Sequence, residues 1–88
     1  RMTDQTQSPA TRADRWLWAA RAFKTRSLAA AACDGGKVTV NGATAKPHKL
    51  IRPGDEVAFT TPAGPRIWKV LDVAERRGPA SAAQALYE

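Results

Sequence analysis

The chain has 88 residues and a mass of 9.5 kDa, room for one small domain and short flanking segments; eighteen of its hydrophobic residues are alanines, so about twenty larger apolar side chains must build the core. No apolar run approaches the length of a membrane-spanning helix, the polar start from Thr3 to Ser8 does not resemble a secretory signal, and one cysteine with one histidine excludes a disulfide framework and an ordinary zinc site. The net charge of +6 is concentrated: residues 12–52 hold nine bases (Arg12, Arg15, Arg21, Lys24, Arg26, Lys37, Lys46, Lys49, Arg52) against Asp14 and Asp34, a local net of +7.

Residues 1–11 are expected to form a disordered tail, being polar, interrupted by Pro9 and without periodicity. Arg1, which precedes Met2, is set aside as an extraneous residue. A first helix is predicted from Thr11 or Arg12, with Thr11 as its cap and Asp14 in the first turn, where a negative charge suits the dipole. Trp16, Ala20 and Phe23, with Leu17 alongside, make a core-facing stripe. Lys24-Thr25-Arg26 reads as a connection, and Thr25 or Ser27 can cap a second helix whose inner face carries Leu28, Ala29, Ala32 and Cys33. Gly35-Gly36 closes that helix. Its small residues favour a close approach of the two helices.

The period then changes from 3.6 to 2. Lys37 to Val40 alternates, with Val38 and Val40 inward, and Asn41-Gly42 is a strong two-residue hairpin signal because both central positions of that turn need positive φ. Ala43 to Lys46 is the predicted return strand, ended by Pro47. Pro53-Gly54-Asp55 forms a turn into a strand over Glu56–Phe59, Pro62 to Pro65 makes a loop, and Arg66–Val73 is the longest strand candidate. Gly78-Pro79 breaks the chain before a short helix over Ala82–Tyr87, capped by Ser81. The order α-α-β-β-β-β-α gives an α+β fold, with two N-terminal helices packed on a small, mainly antiparallel sheet. Residues 12–75 are assigned to one domain and 76–88 to a C-terminal segment.

Catalysis is not expected. No histidine is placed to serve Ser8, Ser27 or Ser81, Cys33 lies on an inward helix face, and Asp55-Glu56 is explained by a turn-stabilising aspartate. No phosphate-cradling glycine loop is present, and neither a metal nor a cofactor is called for. Binding fits better. A dense positive field attracts polyanions through counterion release. Arg12, Arg15, Arg21 and the Lys24-Thr25-Arg26-Ser27 connection cluster around one helix–loop–helix, where the start of the second helix adds open N–H groups, and Lys37 and Lys46 extend the surface. Trp16 and Trp68 are assigned to the core. Trp18 either stacks on a base or packs under the C-terminal segment. His48 is read as a solvated loop residue within reach of phosphate.

The segments Arg12-Ala13-Asp14-Arg15-Trp16-Leu17-Trp18, Phe23-Lys24-Thr25-Arg26-Ser27-Leu28-Ala29, Gly36-Lys37-Val38-Thr39-Val40-Asn41-Gly42, Lys46-Pro47 and Pro53-Gly54-Asp55 resemble the S-four (alpha-L) RNA-binding domain. With Arg76-Arg77-Gly78-Pro79-Ala80 and Leu86-Tyr87-Glu88, they are most similar to the small ribosome-associated heat-shock proteins of bacteria. The resemblance covers Arg12 to Glu88. It implies a cytoplasmic, non-catalytic protein bound to structured RNA, above all ribosomal RNA of the large subunit stalled with nascent chain and tRNA, with tRNA as a further partner. By position it implies RNA contacts at Arg12, Arg15, Arg21, Lys24, Thr25, Arg26, Ser27, Lys37 and Asn41; the charge argument adds Lys46. Ala13 stands where the family has leucine. The heat-shock branch continues into a long basic tail, whose loss would lower ribosome affinity in a chain ending at Glu88. A monomer is expected. The alternative is the RNA-targeting part of a larger RNA-modifying enzyme, such as a pseudouridine synthase or methyltransferase. Adhesion to an anionic membrane is disfavoured, because no helix pairs basic residues with a bulky apolar face.

Overall fold

A computed structural model describes residues 9–88 of the chain; most of the tail expected to be disordered lies outside the described residues. Thr11 does not belong to that tail. Thr11–Arg12 forms a short strand, β1, paired antiparallel with β4 (Leu50–Ile51) in the register Thr11 to Ile51 and Arg12 to Leu50. Held in this pairing, Thr11 cannot cap the first helix, and its hydroxyl is buried without a partner among the described residues. Helix α1 (Ala13–Ala19) instead starts after Arg12 with no side-chain cap. Its first amides are satisfied from a distant turn: Ala13 N donates to Lys49 O (2.8 Å) and Asp14 N to Pro47 O (3.2 Å).

Helix α1 buries Ala13, Trp16 and Leu17 and ends at Ala20. Arg21 takes φ 64°, Arg21 N donates to Trp18 O and Ala22 N to Leu17 O, which is the Schellman closure with arginine where glycine is usual. Helix α2 (Arg26–Asp34) is capped as expected, Thr25 Oγ1 accepting from Leu28 N at 3.0 Å. Its inner face is Ala29 and Cys33, with Ala32 partly buried; Leu28 is half-exposed rather than inward. The same Schellman pattern ends α2, with Gly36 at φ 75°, Gly36 N bonded to Cys33 O and Lys37 N to Ala32 O.

The main sheet has the order β3-β2-β5-β6, all neighbours antiparallel, from β2 (Val38–Val40), β3 (Ala43–Thr44), β5 (Glu56–Thr61) and β6 (Gly64–Lys69). Asn41 and Gly42 take φ 53° and 86°, as the hairpin signal requires. The return strand stops at Thr44. The expected Pro62–Pro65 loop is tighter: Thr61 pairs with Gly64 and Pro65 with Thr60, proline being tolerated because β6 is an edge strand. Strand β6 ends at Lys69 rather than Val73. Val70 N turns to Asp55 O (2.8 Å), and Leu71 N to Leu86 O (2.9 Å), so the chain beyond β6 pairs with its own C-terminal end.

Helix α3 (Ala80–Gln84) begins at an N-cap of Pro79, before Ser81, and stops short of Tyr87 because Tyr87 bridges Val70. The observed order is β-α-α-β-β-β-β-β-α, the expected α+β class with two extra two-residue strands. The core lies between α1, α2 and the sheet: Trp16, Leu17, Cys33, Val38, Ile51, Val57 and Val70 are fully buried. Trp68 extends it, edge-on to Phe59 (4.9 Å) and Trp16 (6.4 Å) and stacked on Tyr87 (3.6 Å). Phe23 packs against Phe59.

Gly36 provides a clean test of helix closure. A Cβ there would meet nothing within 4 Å, so only the positive φ opposes it. Gly36→Ala is expected to cost about 1 kcal/mol, a fall in thermal midpoint of roughly 4–8 °C by circular dichroism. An unchanged midpoint would remove the left-handed closure from the account.

Candidate nucleic-acid interface

The start of α1 and the start of α2 meet at one carboxylate. Asp14, whose side chain is 5% exposed, accepts Arg12 Nε on Oδ1 (3.1 Å) and Arg12 Nη2 on Oδ2 (3.1 Å). Arg26 Nε lies 3.5 Å from the same Oδ2. Arg12 and Arg26 remain 46% and 38% exposed, so both guanidiniums reach the surface from a buried anchor. Beside them stand exposed Lys24 and Ser27. The Thr25 hydroxyl and carbonyl take the amides of Leu28 and Ala29, which leaves those of Arg26 and Ser27 as open donors at the helix start among the described residues.

The turn over residues 46–49 completes this face. Its Pro47 and Lys49 carbonyls are the acceptors for α1's first amides, so exposed Lys46, His48 and Lys49 are brought beside Arg12 and Asp14. Lys49 is not among the binding residues named from the sequence. Lys49 was visible there as one of the clustered bases, but the contact that positions it is main-chain and carries no side-chain signature.

Other candidates are drawn elsewhere. Arg15 pairs with Glu75, and Arg21 donates through Nε and Nη2 to Gly78 O (3.3 and 2.9 Å). Both therefore face the 72–78 segment, whose Arg77 returns a bond from Nε to Trp18 O (3.1 Å) and whose Asp72 carbonyl accepts from Trp16 Nε1 (2.9 Å). The Trp18 side chain is half-buried. Thr25 is occupied as a cap. Asn41 uses both ends of its side chain within the fold, Nδ2 donating to Asp55 Oδ1 (3.1 Å) and Oδ1 accepting from Glu56 N (2.9 Å). Asp55 also accepts from Arg52 N at 2.9 Å, the turn role expected of it. Lys37 is exposed but follows the far end of α2, about 13 Å along the axis from Arg26. There it lines a shallow groove of about 360 Å³ with Arg66 and Ile67.

Cys33 is buried, and its thiol is pushed up to about 11 by burial first and then by the charges of Asp14 and Asp34. Burial and the neutral state make this thiol a poor nucleophile at physiological pH.

The family model of the S4 domain matches residues 11–57, which contain every element of this face. A Heat shock protein 15 homolog from Aeromonas salmonicida is 47% identical over 77 residues, covering 88% of this chain and 58% of that protein. An RQC P-site tRNA stabilizing factor from Halalkalibacterium halodurans is 41% identical over 48 residues, 54% of each chain. A solved structure described as trimeric Vibrio cholerae Heat Shock Protein 15 superposes with a TM-score of 0.87 at 39% identity, covering 91% of this chain and 81% of that one. The chain thus spans less than two thirds of the length of both named sequence relatives.

The Cys33 environment sets a pH limit. The folded thiol titrates above the unfolded one, so the stability linked to the neutral thiol is full below pH about 9 and is lost as pH rises toward about 11. Alkylation by iodoacetamide at pH 8 is expected to be slow in the native protein and fast in urea. Equal rates would mean that the thiol is exposed.

Proposed function

The chain belongs to the S4 domain family, and we propose that it is a non-catalytic module that binds structured RNA. The observation that carries this reading is the convergence of Arg12, Arg26, Lys24 and the 46–49 turn on one surface around the open amides of α2. Phosphate neutralisation supplies the affinity. Selectivity comes from the spacing of the cationic tips along an RNA backbone, because among the described residues no array of base-reading side chains accompanies them. Residues 12–75 form the binding unit, and 76–88 brace it from the opposite side of α1. Lys37 makes a secondary contact beyond α2.

The name of one relative, an RQC P-site tRNA stabilizing factor, supports a ribosomal setting. Ribosomal RNA of the large subunit is the proposed target, with tRNA held on a stalled subunit as a second ligand. The whole proteins are longer than this chain, so their full activity need not reside in it. A single copy is proposed to make this contact.

Titrating a fluorescent ribosomal-RNA hairpin by anisotropy tests the reading. About six phosphate contacts predict an affinity loss on the order of a thousandfold between 50 and 200 mM salt. A flat response would count heavily against it. One protein per hairpin is expected by sedimentation, whereas three would transfer the Vibrio relative's assembly to this chain. Lys24→Ala is expected to weaken binding several-fold and to flatten the salt response by about one phosphate. Arg15→Ala, whose partner is Glu75, should leave affinity nearly unchanged and cost less than about 1 kcal/mol of stability. Equal losses from the two variants would move the interface toward the 72–78 side.

A further inference from the structure

An acidic residue inside a phosphate-binding face is an anomaly on charge alone. Asp14 is one of only two acids among residues 12–52, and its carboxylate sits beneath the two arginines nearest the open amides of α2. Its chemistry resolves the anomaly. Arg12 engages both carboxylate oxygens through its Nε and Nη2 edge, which leaves Nη1 directed away from the anchor. Arg26 approaches through Nε, which leaves both of its terminal nitrogens available. The two arginines come from positions fourteen residues apart, one preceding α1 and one opening α2. Without a shared anion between them, their like charges would drive them apart.

We propose that Asp14 is a positioning residue of the RNA interface: it fixes Arg12 and Arg26 as one pre-formed double fork for adjacent phosphate oxygens. This inference rests on the RNA-binding reading of the face. Ordering two long side chains before the ligand arrives removes that entropy cost from binding, and arginine is required because its planar fork can hold the carboxylate along one edge and offer another to phosphate. The anchor itself is fixed by the fold. Asp14 N is bonded to Pro47 O, and its side chain is buried against the start of α2.

The test reverses the electrostatic expectation. Asp14→Asn removes a negative charge from a polyanion site, so charge alone predicts tighter binding. Positioning predicts about tenfold weaker binding to the ribosomal-RNA hairpin at fixed salt, with native circular dichroism and with loss of the discrete arginine Nε–H resonances of Arg12 and Arg26 in nitrogen-15 spectra. In an Arg12→Ala/Arg26→Ala background, Asp14→Asn should have no further effect on affinity. Equal or tighter binding by Asp14→Asn, or an undiminished effect in that background, would overturn the proposal.

If Asp14→Asn does not fold, the exposed pair Arg12→Lys/Arg26→Lys decides the matter. It keeps both charges and loses the forks, and is expected to bind about tenfold more weakly; parity with the parent protein would overturn the proposal. Failure of the parent protein to bind the hairpin would instead remove the RNA reading itself.

Discussion

The arrangement of this protein depends on how the first two amides of α1 find acceptors. A helix start without a capping side chain needs carbonyls from elsewhere, and here they are those of Pro47 and Lys49. The β1–β4 pairing places that turn, since Arg12 and Leu50 are partners in register. One short piece of antiparallel pairing therefore does three things. It starts the helix, seats the basic 46–49 turn beside the α1–α2 junction, and leaves Asp14 facing inward where Arg12 and Arg26 can share it.

The core must be built economically around this junction. Ala13, Ala19, Ala20, Ala29 and Cys33 are all buried, and their small size allows the helices to approach closely. The bulk is supplied from one side. Trp16 and Leu17 on α1 meet Val57 and Phe59 on the sheet, and Trp68 is covered by Tyr87 from the C-terminal end. Residues 70–88 thus serve as a second layer for a sheet that would otherwise present Trp68 to water. The bonds of Arg21 and Trp16 to this segment, and of its own Arg77 to Trp18 O, tie it to α1.

Much of the fold was legible because its signals are local. Asn41-Gly42 and Gly36 announce positive φ by residue type, Thr25 caps the helix that immediately follows it, and Val38 and Val40 alternate as buried strand residues do. What was not legible depends on partners far away in sequence. Strands β1 and β4 are two residues each, too short to display alternation, and recognising them requires the other strand. Arg21 closing α1 in the left-handed region has no residue-type signature. Ser81 looked like a cap, but the pull of Leu71 and Val70 on Leu86 and Tyr87 shifts the helix toward Pro79.

The candidate interface divides along the same line. Lys24 and Lys46 are exposed as the charge pattern implied, and Ser27 is exposed beside Lys24, because lysine and serine here have no distant partner among the described residues that competes for them. The arginines were harder to place. A guanidinium with five donors readily satisfies carbonyls and carboxylates across the fold, and the partners of Arg15 and Arg21 lie 60 and 57 residues away. A basic count consequently overstates the positive surface of a chain this small, where one side chain often serves both packing and binding. Arg12 and Arg26 escape that conflict because their shared partner is buried beneath them, so holding the fold together and facing outward require the same geometry.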